Sequence, residues 1–562
     1  MPLVRRERLD SGKLGIALAA GAAALAAWLL WYPMRDAAPF LDDYVFFALG
    51  VHVDTPLALL LSDAMGSFFF RPFVMFLWAL SAKAFGVDAP IQYALNIGLH
   101  AANGLLLLVL ARRYGIRAAP AAVGAILFVV HPTPFAAAAW LSDRFDVVAL
   151  FCGLCALIAL EAYWRHPRRL NLAGALCALL LALLSKEIAY AIVPVALASA
   201  AWRWRSQRGR ALRSMIAIAA CAAATLCVRA LVVRPVAAAM FLDGGTLSAL
   251  WDGCAKFFHY LPAFLVVRHG GAAALGAQAL LVAVPLVLVA GGSRFDARAA
   301  LRAVPLASAA IILLIGCAAA QAPVMHASPI QPFDPGPFQF IALAGSRFYY
   351  VAFAGLALLV AACGHALIAA PPRPPFTLAV AALLAAVTAG MTAQSRDIAR
   401  EWSSFVRTED APLVQAAVAA VRSQQDAPPG CKIFLLDLPD PDDTLRSMLD
   451  VAVKQALPPG DPRAACFIQS EHTPWYHLLE ARGLPPGAER PLSMMVFAGK
   501  PYLPLRVGNL EYFYLTAVDA PAIVASREST FYAWDGARFA NVTELVRSGR
   551  RHVAFYDNRP RF

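Results

Sequence analysis

"LGIALAAGAAALAAWLLWYP" (residues 14–33) runs for 20 residues without a charge. A helix rises about 1.5 Å per residue, so this run covers the roughly 30 Å of a bilayer's hydrocarbon core. The apolar region of a secretory signal is shorter, about 7–15 residues. The run therefore reads as an uncleaved signal-anchor. "VRRER" (4–8) precedes it, which puts the N-terminus in the cytoplasm.

The rest of the chain repeats this pattern. Its 562 residues are 60% hydrophobic and 15% charged, with a mean hydropathy of +0.61. A soluble domain carries about 25% charged residues, and a single core stops growing near 250–300 residues. The expected class is thus a polytopic α-helical membrane protein. About eleven transmembrane helices are predicted, near 14–33, 91–111, 117–133, 145–163, 170–185, 188–203, 211–231, 272–291, 301–320, 347–370 and 374–392. The formal net charge of +12 would suit nucleic acid, but the arginines lie in short loops and no nucleic-acid motif is present.

Those loops set the topology. "ARRYGIR" (111–117), "EAYWRHPRR" (161–169), "WRWRSQRGRALR" (202–213), "GGSRFDARAALR" (291–302) and "PPRPP" (371–375) alternate with the other connections and are all basic. They belong on the cytoplasmic side. The outer side then receives Asp42 and Asp43 in "FLDDYVFF" (40–47), and Arg71 in "FRPF" (70–73). It also receives His131, Asp143, Arg144 and Asp146 in "HPTPFAAAAWLSDRFD" (131–146), and Lys186 and Glu187 in "SKE" (185–187). His259 in "KFFHYLP" (256–262) and Arg347 in "GSRFYY" (345–350) complete that side. Polar residues at membrane depth are costly and are functional candidates by default. Each has a plainer reading alone: interfacial charges for Asp42–Asp43, a self-neutralising pair for Lys186–Glu187, a snorkelling arginine for Arg347. Their gathering on one side is what an active site at a bilayer surface requires.

The order of these motifs carries a resemblance. An acidic pair after the first span, then "RPF", "NIGLHAANGLLL" (96–107, with Asn96 and His100), "HP…SDRFD", "SKE" and "SRFYY", resembles the GT-C superfamily of membrane glycosyltransferases. It is similar to protein O-mannosyltransferases, TMTC-type mannosyltransferases and aminoarabinose-transferase-like enzymes, which use polyprenyl-phosphate-linked sugars. The resemblance covers roughly residues 10–395, and it makes residues 1–394 a GT-C-like transmembrane domain. It implies inverting transfer with Asp42 or Asp43 as base, and Arg347, Lys186 and Arg71 near the lipid phosphate. Glu187, Asp143, Arg144, Asp146, His131 and His259 take supporting places. "SDRFD" stands where the family has "GRxD", and the donor sugar and acceptor (glycan, lipid or protein) stay open.

The chemistry is consistent with that implication. Sugar transfer to a hydroxyl needs a carboxylate base and a cation for the departing phosphate. Neighbouring carboxylates titrate jointly, so the pair rather than one member is named as base. Asp42, Asp43, His131 and His259 also offer ligands to a divalent metal, although their spacing matches no compact motif. No cofactor is assigned beyond that candidate divalent metal. Residues 52–67 and 71–86 read as interfacial helices, and 234–271 as a partly amphipathic outer segment.

Residues 395–562 are expected to form a small periplasmic α/β domain. Strands are predicted at "CKIFLLDLP" (431–439), "CFIQSE" (466–471), "SMMVFAG" (493–499), "EYFYLTAVD" (511–519), "TFYAWDG" (530–536) and "HVAFYDN" (552–558), with a helix at 442–457. Cys431 and Cys466 are its two cysteines and candidates for a disulfide in an oxidising compartment. The expected location is a bacterial inner membrane. Two other functions fit the composition. A transporter or flippase of polyprenyl-linked sugars would need mid-membrane charges and internal repeats. A non-catalytic scaffold presenting the tail would leave the one-sided cluster unexplained.

Overall fold

A computed structural model gives the architecture. It describes residues 20–39, 55–60, 70–86, 88–232, 246–265, 297–327, 345–367, 374–405, 411–424, 431–437, 449–458, 461–470 and 524–551. Five short strands between 478 and 512 and the isolated positions Asp43, Phe46, Phe47 and Val287 are also described. Asp42, the predicted span at 272–291 apart from Val287, and the predicted strand at 552–558 lie outside these residues.

The helices are α1 (20–31), α2 (Pro72–Phe85), α3 (Ala89–Arg113), α4 (Ala118–Val130), α5 (Pro132–Ala139) and α6 (Arg144–Arg165). They continue as α7 (Arg169–Leu183), α8 (Ile192–Trp202), α9 (Trp204–Val232), α10 (Thr246–Leu265), α11 (Ala297–Ala327), α12 (Tyr350–Leu367) and α13 (Pro374–Phe405). Smaller helices α14 (Ala411–Ser423), α15 (Leu449–Ala456) and α16 (Thr543–Arg547) follow. Two compact units emerge: residues 1–35, 90–230 and 241–402 make the first, and residues 36–89, 231–240 and 403–562 the second.

The first unit is a helical bundle. Six helices, α3, α6, α9 and α11 to α13 with short extensions, are long and apolar enough to cross a bilayer. The predicted count of eleven is not reached among the described residues. The run at 117–133 continues into a second helix: α4 and α5 form a broken span bent by 50°. Its cause is local. Pro132 disfavours helical backbone at the residue before it, and His131 is extended (φ −68, ψ 133). The His131 Nδ1 then accepts from the Thr133 amide at 3.2 Å and caps α5. The runs at 170–185 and 188–203 form α7, 15 residues, and α8, 11 residues, each short of the about 20 a span needs. Between them Lys186 is extended (φ −160, ψ 154) and a 3-10 turn over Glu187–Ala191 leads into α8.

Close helix contacts depend on two glycines. A Cβ at Gly124 of α4 would collide with the Ala357 carbonyl of α12, and one at Gly253 of α10 with the Ala322 carbonyl of α11. α10 is amphipathic as expected from its sequence: Ala249, Phe257 and Phe264 are buried, whereas Leu247, Trp251 and Phe258 are exposed.

In the second unit a sheet runs in the order β2 (Phe467–Ser470), β1 (Lys432–Leu436), β8 (Ser529–Trp534), β9 (Phe539–Asn541). β1 pairs in parallel with both neighbours, and β8 with β9 antiparallel. Every residue of β1 is buried, as a central parallel strand requires. Its Phe434 stacks on Phe531 of β8 at 4.9 Å. α14 packs on α15, and Cys431 before β1 is disulfide-bonded to Cys466 before β2, with the Cα atoms 4.8 Å apart. The bridge closes a separation of 35 residues, for which loop entropy predicts about 2–4 kcal/mol of stabilisation. Cys431→Ser or reduction should therefore lower the unfolding midpoint of this unit by that free energy in a denaturant titration followed by Trp534 fluorescence.

Candidate functional site

Membrane-depth polar groups of the first unit converge where α3, α6 and α12 begin and where α4 passes into α5. Arg144 opens α6 and is buried. Its Nε donates to Asn96 Oδ1 at 2.6 Å and its NH2 to Gln92 Oε1 at 2.9 Å, both on α3. The Asn96 amide in turn donates to the carbonyls of Trp140 (3.3 Å) and Leu141 (3.2 Å). One turn further along α3, His100 Nε2 lies 3.0 Å from the Val129 carbonyl. A carbonyl can only accept, so Nε2 carries the proton and Nδ1 accepts from the Tyr350 hydroxyl at 3.0 Å. Asn103 donates to that hydroxyl at 3.0 Å and to the Val147 carbonyl at 2.9 Å. "NIGLHAAN" is thus one face of α3 spent on fixing its neighbours.

The charged pair of "SKE" divides between two partners. Lys186 Nζ is ion-paired with Asp146 Oδ2, with the side chains 9% and 0% exposed. Glu187 faces Arg229 of α9 at 2.8 Å. The self-neutralising reading of Lys186–Glu187 therefore does not hold, because the extended backbone at Lys186 points neighbouring side chains apart. Asp146 Oδ1 is buried with no hydrogen-bond partner among the described residues.

"SRFYY" straps this region down. Tyr349 donates to the Phe257 carbonyl at 3.0 Å and stacks on Phe257 and Phe264 of α10. The Arg347 guanidinium lies over the Trp140 ring, 4.8 Å from its centroid, and forms no salt bridge among the described residues. An arginine held by cation–π contact keeps its planar donor fork for another ligand.

The remaining predicted residues are placed differently. His131 caps α5, and its ring lies 4.5 Å from that of Phe353, tilted by 45°. His259 is on the exposed side of α10 beside Tyr260, turned from the stripe through Phe257. Asp143 is buried in the 3-10 turn Leu141–Asp143 before α6. In the second unit Asp43 is fully buried, and Phe46 and Phe47 pack on Trp78 of α2 at 5.6 and 5.2 Å. Arg71 precedes α2, whose first residue is Pro72. Among the described residues no group of three His, Cys, Asp or Glu could hold a metal ion. A separate trio stands outside the buried region: Asp252 Oδ2 meets Lys256 at 2.8 Å and His326 Nδ1 at 2.7 Å. The hydrogen bonds from Lys256 and then His326 hold the Asp252 carboxyl below the usual range.

The sequence does not single out Arg396. It lies in α13, against a cavity of about 690 Å³ whose walls include Leu25 and Leu29 of α1, Ile126 and Val130 of α4 and Leu384 of α13. Arg396 Nε is buried without a hydrogen-bond partner among the described residues. Ser395, its neighbour, donates to the Val130 carbonyl at 2.8 Å, which puts the charged end of the cavity beside the α4–α5 bend. An apolar trough whose polar end holds Arg396 beside the paired Asp397 and Arg400 fits an amphiphile.

No family profile and no curated protein matches the chain. Solved structures give distant likenesses. ArnT from Cupriavidus metallidurans bound to undecaprenyl phosphate is 15% identical at a TM-score of 0.41, over 79% of this chain and 86% of that one. The arabinofuranosyltransferase AftD from Mycobacteria is 14% identical at 0.40, over 75% of this chain but only 29% of its own length. The Archaeoglobus fulgidus oligosaccharyltransferase in complex with Zn and sulfate is 14% identical at 0.43, over 77% and 61%.

Breaking a buried pair on one side strands a charge, at about 3–5 kcal/mol, whereas replacing both partners with apolar groups is near neutral. Lys186→Met should thus lower thermal stability in detergent sharply, and adding Asp146→Leu should restore most of it; equal losses in both variants would contradict the pairing.

Proposed function

We propose that the protein is an integral membrane glycosyltransferase that moves a sugar from a polyprenyl-phosphate donor to an extracytoplasmic acceptor, with inversion. The observation that carries this reading is Arg347, a guanidinium held over the Trp140 ring without a carboxylate neighbour among the described residues. Every step of such a reaction leaves a phosphate to be received, and a free planar fork suits it. The amphiphile-shaped cavity ending at Arg396 supports a lipid-linked substrate. Lys186, assigned to the phosphate from the sequence, is neutralised by Asp146, so its role is to fix the start of the "SKE" turn. That shifts the phosphate role toward Arg347, with Arg71 retained from the motif order.

In this reading a carboxylate of the Asp42–Asp43 pair takes the acceptor proton as attack on the anomeric carbon begins. The bond to the donor phosphate breaks through an oxocarbenium-like transition state, as in glycoside hydrolysis. The phosphate leaves as an anion stabilised by arginine. Asp43 is buried. Residues 1–394 are the catalytic domain and 395–562 the periplasmic one, with the N-terminus cytoplasmic in a bacterial inner membrane. The sugar and the acceptor class are unassigned.

Purified protein in lipid nanodiscs, incubated with labelled polyprenyl-phosphate sugars, tests the reading. Asp42→Asn/Asp43→Asn should lower turnover by about 10²–10⁴-fold, the worth of a general base. Arg347→Gln should be similarly impaired, and Arg347→Lys partly active. Wild-type turnover in the double aspartate variant rejects the base, while label crossing the bilayer without transfer to any acceptor supports a flippase instead.

A further inference from the structure

The opposite end of the same helices carries a second cavity. It measures about 680 Å³, and its polar wall is Arg112 and Arg113 at the end of α3, Arg165 and His166 at the end of α6, and Arg168 and Asn171 at the start of α7. Arg144 and Arg165 bound α6, so the cavity is about 30 Å along that helix from the buried network described above. The inference is independent of the transferase reading.

The charge of this cavity is uncompensated. None of its four arginines forms a salt bridge among the described residues. The acidic residue nearest in sequence, Glu161, is occupied by Arg203 at 2.7 Å and Ser199 at 3.2 Å. Two of the arginines also hold helix-end carbonyls: Arg112 donates to Ile116 O at 2.6 Å, and Arg165 to Arg113 O. Those bonds fix the guanidinium stems while leaving most of each five-donor fork unused. Asn171 is tied to the His166 carbonyl at 2.8 Å, closing the short turn between α6 and α7. Four cations around one space, two of them tethered, call for an anion with several oxygens.

Two observations specify that anion. Leu108 and Val109 of α3 extend the cavity wall into the apolar part of the helix, where a soluble anion gains nothing. Leu170, which follows Arg168 and Arg169 at the start of α7, is 80% exposed, which water disfavours and an acyl region welcomes. We propose that this cavity binds the phosphate headgroup of an anionic phospholipid, with its acyl chain lying along α3. Basic pockets between transmembrane helices on the cytoplasmic side are suited to such headgroups. Bound there, the lipid bridges α3, α6 and α7 and offsets the repulsion among their ends.

The test uses the full chain in detergent and in nanodiscs. Native mass spectrometry and thermal unfolding are followed with phosphatidylglycerol, phosphatidylcholine and soluble glycerol 1-phosphate. Phosphatidylglycerol should be retained and raise the unfolding temperature, and phosphatidylcholine should do neither. Arg113→Gln/Arg168→Gln removes two charges without touching either carbonyl contact. At about 1 kcal/mol per basic residue near a membrane surface, phosphatidylglycerol affinity should fall about thirty-fold. A charge-matched control pair outside the cavity wall, Arg205→Gln/Arg208→Gln, should weaken phosphatidylglycerol binding clearly less than the cavity pair does. Three results overturn the proposal: equal losses in both pairs, meaning diffuse attraction; equal stabilisation by glycerol 1-phosphate, meaning a soluble phosphate site; or no phosphatidylglycerol preference in the wild type, which needs no variant to observe.

Discussion

A charge at membrane depth must find a partner, and the Lys186–Asp146 pair is where the bundle meets that demand most fully. Both side chains are almost completely buried. Their union requires that the chain break helix at Lys186, turn through Glu187–Ala191 and resume as α8. It also requires that α6 begin close to that turn, since Asp146 is in its first turn. Arg144, two residues earlier, then faces α3 and is held by Gln92 and Asn96. One ion pair and one arginine thus set the relation of α3, α6 and the "SKE" turn. The Asn96 amide and the His100 imidazole of α3 satisfy carbonyls that the turn before α6 and the α4–α5 bend would otherwise leave bare.

The two ends of these helices handle charge by opposite means. Where the chain breaks and bends, charges are buried and matched, and Arg347 stands apart by resting on an aromatic ring. At the other end arginines gather with little acidic compensation among the described residues, and Glu161, itself buried, pairs with the half-buried Arg203. Matched burial gives rigidity, because a buried pair has few alternative arrangements. Unmatched cation clusters give affinity for anions and sensitivity to the lipid surface.

Much of this was readable from the residues. The apolar runs locate the long helices, because a span of about 20 uncharged residues has few other soluble fates. The strands at 432–436, 467–470 and 529–534 follow from short β-branched and aromatic runs between turn signals. The runs at 170–185 and 188–203 were harder, since hydropathy registers composition and not the break that Lys186 imposes. Arg396 was invisible for a related reason: "SRDIAR" looks like the polar end of a helix, and only packing shows its Nε enclosed without a partner.

The sequence by itself determined that the chain belongs in a membrane, where its polar residues cluster along the chain, and which loops are basic, because transfer free energy and loop charge are sums over local composition. Tertiary structure decided which charges neutralise one another. Lys186 chose Asp146 over the adjacent Glu187, His131 became a cap, His259 turned outward, and Arg347 was left with an aromatic face. Pairing depends on distances between residues remote in sequence and on backbone direction at single positions, and neither is written in composition or spacing.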